Sequence, residues 1–116
     1  MQQLFEMVTN HGAVMTADWA VIRQTLIDLP YSDAGFLVLA SIENPQHYIQ
    51  TCVNKDEYRT LGLYSVEFRI PTETSFTHYQ RTTNDAVQVV RDFAQFHQGQ
   101  SPDASLYTDI TQDFLT

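Results

Sequence analysis

Leu63-Tyr64-Ser65-Val66-Glu67-Phe68-Arg69-Ile70 is the stretch on which the reading of this chain turns. Tyr64, Val66, Phe68 and Ile70 share one parity; Ser65, Glu67 and Arg69 share the other. Successive side chains of a strand point to opposite faces. The alternation therefore predicts a half-buried antiparallel strand with an apolar back and a charged front. Gly62 opens the run and Pro71 closes it, positions that suit strand ends.

The flanking segments supply neighbours for this strand. In residues 47–53, Ile49, Thr51 and Val53 share one parity and Tyr48, Gln50 and Cys52 the other. Phe36-Leu37-Val38-Leu39-Ala40-Ser41-Ile42 is a continuous apolar run, which predicts a strand covered on both faces. Glu43-Asn44-Pro45-Gln46 joins the two as a hairpin turn. Residues 54–60 read as a charged loop. Thr72-Glu73-Thr74 forms the next turn, and Ser75-Phe76-Thr77-His78-Tyr79-Gln80 a short strand after it. Residues 2–8 suit an edge strand or a frayed helical turn, with Asn10-His11-Gly12 as the turn that ends them.

Two helices stand out. Thr16 reads as an N-cap with Asp18 in the first turn. Trp19, Ile22, Leu26 and Leu29 form an apolar stripe, Trp19 reads as a core anchor, and Pro30 stops the helix. Thr82 or Thr83 caps the second helix, whose Ala86, Val90, Phe93 and His97 share a face, with His97 read as a hydrogen-bonded core residue. Gly99 ends it at a left-handed position, and Pro102 follows. Residues 104–115 mix apolar and aromatic side chains with Asp109 and Asp113 and suit a docked helix or strand, or a tail. The predicted fold is α+β: an antiparallel meander sheet of four to five strands packed by two main helices on one face. It forms a single domain over residues 1–116, with residues 100–116 as a loosely docked segment.

The 116 residues suffice for one core. Fourteen acidic residues against six basic ones give a formal charge of −8, which repels phosphate backbones and favours a basic protein partner over nucleic acid. Cys52 is the one cysteine, which removes any intrachain disulfide and fits a cytoplasmic setting. No apolar run approaches the roughly 18 residues of a membrane span, and no signal-peptide pattern opens the chain.

Catalytic motifs are missing. His11, His47, His78 and His97 have no metal-ligand spacing. Cys52 lies within a predicted strand, where a free cysteine is usually a small buried hydrophobe. No Gly-x-Ser-x-Gly elbow and no glycine-rich phosphate loop occurs. No cofactor and no catalytic residue is therefore expected. The front of the sheet is the candidate surface. Tyr48, Gln50, Glu67, Arg69, His78 and Gln80 become one polar-aromatic patch if the strand register allows, and a cross-strand pair of Glu67 with Arg81 or Arg59 is open. Asp56 and Glu57, on the exposed loop, are further candidate partner contacts. The plainer reading is a solvated face whose ion pairs each contribute under about 1 kcal/mol.

A Trp-bearing helix, then Gly35-Phe36-Leu37-Val38-Leu39, His47-Tyr48-Ile49-Gln50-Thr51, Tyr64-Ser65-Val66-Glu67-Phe68-Arg69 and His78-Tyr79-Gln80, then a helix ending at Phe93-Ala94-Gln95-Phe96, make a layout over residues 16–99. It resembles that of small acidic bacterial immunity proteins of polymorphic-toxin systems. The resemblance implies no catalysis and tight binding to a cognate toxin. A secretion-chaperone-like module that binds a client segment is the alternative; a dimer with an exposed apolar groove would mark it.

Overall fold

The computed structural model describes residues 4–33 and 35–115. Its centre is an antiparallel sheet of seven strands in the order β2-β1-β3-β4-β5-β6-β7. The strands are β1 (Phe5–Thr9), β2 (Gly12–Met15), β3 (Phe36–Ser41), β4 (Tyr48–Val53), β5 (Tyr64–Pro71), β6 (Phe76–Thr83) and β7 (Thr108–Asp109). Helices α1 (Trp19–Asp28) and α3 (Ala86–His97) pack together on one face, and a single turn of helix, α2 (Tyr58–Leu61), lies in the β4–β5 connection.

The α+β class and the antiparallel pairing agree with the sequence, but the sheet is larger than four to five strands. Two segments account for the difference. Gly12–Met15 pairs with β1 across a two-residue loop, Thr9 opposite Gly12. All four of its residues are exposed, so no apolar alternation announced it. The two-residue β7 adds to β6 at the far edge.

The helix starts also moved. Thr16 sits at φ +53°, a left-handed conformation, and its hydroxyl donates to the Met15 carbonyl. It leaves β2 rather than capping α1; Asp18 is the N-cap residue. For α3 the cap is Asp85, whose carboxylate accepts from the Val87 and Gln88 backbone N–H groups. Thr83 acts one step earlier, accepting from the Asp85 backbone N–H. Gly99, at φ +83°, ends α3, and the Gln100 N–H returns to the Gln95 carbonyl in the pattern of a left-handed helix end.

The core lies between sheet and helices. Phe5, Met7, Leu37, Leu39, Ile49, Tyr64, Val66 and Phe68 face Ile22, Leu26, Val89, Phe93 and Phe96, all buried. Each such side chain contributes roughly 1.5–3 kcal/mol. Trp19 packs at the edge of this core, half-buried. The ring of His97 lies 5.4 Å from Phe5 and 5.7 Å from Trp19, tilted against both, so it packs at the core margin instead of sitting hydrogen-bonded within it.

Both large helices cover the same side of the sheet, which leaves the opposite side to the polar parity of the strands. Residues 108–114 close one end of that side. Here β7 joins β6, and a 3-10 turn over Thr111–Phe114 folds back, with Thr111 Oγ1 accepting from the His78 N–H at 2.9 Å.

Candidate functional site: the open sheet face

The registers of β4, β5 and β6 run without a bulge, so parity translates directly into rows. Tyr48 lies opposite Arg69, and Arg69 opposite His78. Gln50 lies opposite Glu67, and Glu67 opposite Gln80. The six residues singled out on the three strands therefore form two adjacent rows on the open face. Arg81 is opposite Val66 and belongs to the helix-facing side, so it does not pair with Glu67. Arg59, on α2, instead turns to the Tyr58 hydroxyl.

Within the patch the ionisable groups are joined in series. Arg69 Nε donates to His78 Nδ1 at 3.0 Å, and His78 Nε2 lies 2.7 Å from Glu67 Oε1. A guanidinium only donates, so Nδ1 must carry the lone pair. The ring proton then sits on Nε2 and is donated to Glu67, and the imidazole in this arrangement is neutral. The ring has no exposed surface, whereas the sequence placed it on a solvated face. Phe114 supplies part of the cover, its ring 4.4 Å from that of His78.

Arg69 is held on every side. Its guanidinium carbon lies 3.8 Å from the Phe76 ring centre, 4.8 Å from that of Phe114 and 5.4 Å from that of Tyr48. One terminal nitrogen donates to Gln46 Oε1 at 3.0 Å. The cation is thus committed inside the protein, with the imidazole between it and Glu67. Among the described residues Glu67 makes no ion pair with lysine or arginine, and its bond from His78 engages a single carboxylate oxygen.

Beside this group is a cleft of about 260 Å³ lined by Phe36 and Val38 of β3, Gln50 and Cys52 of β4, and Ser65 and Glu67 of β5. Phe36, Val38 and Ala40 face this side and remain partly exposed, so β3 is not covered on both faces as its apolar run suggested. Cys52 is exposed too, contrary to the buried position expected of it. Partial enclosure of its sulfur by the cleft walls pushes the thiol above its ordinary value, and the Glu67 carboxylate adds to the rise. A thiol tuned in that direction is less of a nucleophile. Burial likewise raises the Tyr48 hydroxyl; Arg69 opposes this and Glu67 reinforces it.

Asp56 and Glu57 stand apart from the patch. Both are exposed in the β4–β5 connection, beyond the Val53–Tyr64 pair, just before α2. No group of three or more His, Cys, Asp or Glu among the described residues is placed to hold a metal ion. No helix there is long and apolar enough to cross a membrane.

The cleft walls on β3 were missed by the sequence reading although their signal was present. Phe36 and Val38 share a parity, and the pairing of Val38 with Gln50 brings that parity onto the face of Glu67. The covering role of Phe114 had no local signal, because it depends on where the chain returns after β7. Comparison with protein-family models, curated proteins and solved structures yields no significant match.

Proposed function

We propose that this protein is a non-catalytic binding module of the immunity type, and that its open sheet face engages a basic protein partner. The observation that carries the reading is the face itself. Helices cover only one side of the sheet, while the other presents Tyr48, Gln50, Glu67 and Gln80 beside the partly exposed Phe36 and Val38. Aromatic side chains on a rigid sheet give contact area at little entropic cost, and Tyr and Arg are favoured at interfaces. The formal charge of −8 supports a basic partner, whose association such a field would accelerate.

The supporting thiol chemistry is negative in character. The raised Cys52 thiol has Asn54, at 3.9 Å, and Ser65 as its side-chain partners, and neither is a histidine. That arrangement suits recognition better than turnover.

The test is co-expression with the product of the adjacent gene, followed by co-purification at low and high salt. A complex that weakens with salt and is lost on Phe36→Asp is expected. Phe36 is 37% exposed, so the aspartate can reach water without unfolding the sheet. No complex at low salt, or one indifferent to Phe36→Asp, overturns the reading.

A further inference from the structure

The geometry points to the Glu67 cleft as the receptor for a single arginine side chain of the partner protein, an inference that deepens the binding reading and rests on it. Three observations converge. The first is an unmatched charge. The Glu67 carboxylate lines the cleft, and its one hydrogen bond among the described residues comes from a neutral imidazole. The nearest cation along the series, Arg69, is engaged with His78, Gln46 and three aromatic rings. A half-buried anion with no cation of its own favours one from outside.

The second observation is the acceptor set. Gln50 lies directly opposite Glu67 and makes no side-chain hydrogen bond to another described residue. Ser65 Oγ, accepting from Gln80 Nε2 at 3.3 Å, stands on the same wall. A guanidinium carries five donors in a planar fork, which several converging oxygens can satisfy together. An ammonium is a compact point charge with three donors and uses fewer of them.

The third is size and lining. About 260 Å³ lies below the roughly 300–1,000 Å³ usual for small-molecule sites, so the cleft suits one inserted side chain better than a whole ligand. Phe36 and Val38 form an apolar wall against which a three-carbon stem can lie, while the head reaches Glu67.

The measurement uses the intact protein and a blocked amino acid, N-acetyl-arginine-N-methylamide, followed by amide chemical shifts in NMR. Saturable shifts confined to Val38, Gln50, Cys52, Ser65 and Glu67 are expected. Glu67→Gln, which keeps the side-chain shape, should weaken binding at least five-fold, and the citrulline analogue should bind at least five-fold more weakly than arginine. Glu73→Gln, in the exposed β5–β6 turn, should leave binding unchanged. Shifts scattered over the acidic surface, or equal effects of the Glu67 and Glu73 substitutions, overturn the inference. So does ten-fold tighter binding of free arginine, which would make the cleft an amino-acid site. The two readings separate cleanly. A partner complex indifferent to Glu67→Gln removes the arginine receptor and leaves the binding module, whereas the absence of any partner complex removes both, even where the cleft binds the blocked arginine.

Discussion

The backbone nitrogen of Thr83 lies 2.8 Å from the point where a side-chain carbon on Gly62 would sit. The start of β5 and the end of β6 are that close, and Gly62 also holds φ +106°, a region L side chains rarely enter. Tyr64 opposite Thr83 is the first pair of the ladder that carries Glu67, Arg69 and His78. Spacing in the patch thus depends on a glycine outside it.

Gly62→Ala should accordingly destabilise the protein by about 2–4 kcal/mol, from backbone strain plus a contact with main chain that cannot swing aside. Urea unfolding of the two proteins measures it. A loss below about 0.5 kcal/mol would mean that β5 and β6 separate at this end without consequence.

Removing the imidazole tests the series through His78. His78→Leu takes the donor from Glu67 and the acceptor from Arg69 at once. Bonds to charged groups contribute about 1.5–3 kcal/mol each, but the Glu67 side chain is 25% exposed and water replaces part of what it loses. A net loss of about 2 kcal/mol is expected by denaturant titration, and less for His78→Gln, which restores one bond. Equal stability of all three proteins would show that the buried ring is held by packing alone.

These residues also show where sequence reading succeeds and stops. Period-two alternation put Tyr48 with Gln50, Glu67 with Arg69 and His78 with Gln80, each pair on one face of its own strand, because strand parity is a local property. The six became neighbours because β4, β5 and β6 pair in sequence order with no bulge. Burial of His78 was illegible, since its cover comes from Thr111 and Phe114, more than thirty residues downstream. β2 was illegible for the opposite reason. It buries nothing, so backbone pairing alone makes it a strand.

Cys52 reports on the field in the cleft. Partial enclosure is the larger cause of its raised thiol value and Glu67 the smaller. Glu67→Gln removes the negative charge, lowers the thiol value and raises the thiolate fraction at a given pH. Alkylation by iodoacetamide near pH 8 should therefore accelerate, by about two- to three-fold given the secondary place of Glu67. An unchanged or slower rate would place the carboxylate too far from the sulfur to act on it.

On the helix side, Tyr107 gives a pH signature with a definite sign. Its hydroxyl donates to Asp92, which is 2% exposed and also accepts from Gln88 Nε2 at 3.1 Å. Burial, then the bond to Asp92 and its charge, hold the Tyr107 hydroxyl far above the ordinary tyrosine value, with Arg81 opposing. The folded state keeps a proton that the unfolded state releases near pH ~10. The stabilisation is therefore complete below that pH and falls as pH rises beyond it. Tyr107→Phe should lower stability at neutral pH by about 1–3 kcal/mol, because Asp92 loses a donor. The same substitution should flatten the alkaline decline, which Tyr48 and Tyr64, also raised by burial, keep from vanishing. Urea midpoints of both proteins between about pH 9 and 11 test the sign. Parallel alkaline declines in the two would show that Tyr107 ionises no differently folded than unfolded.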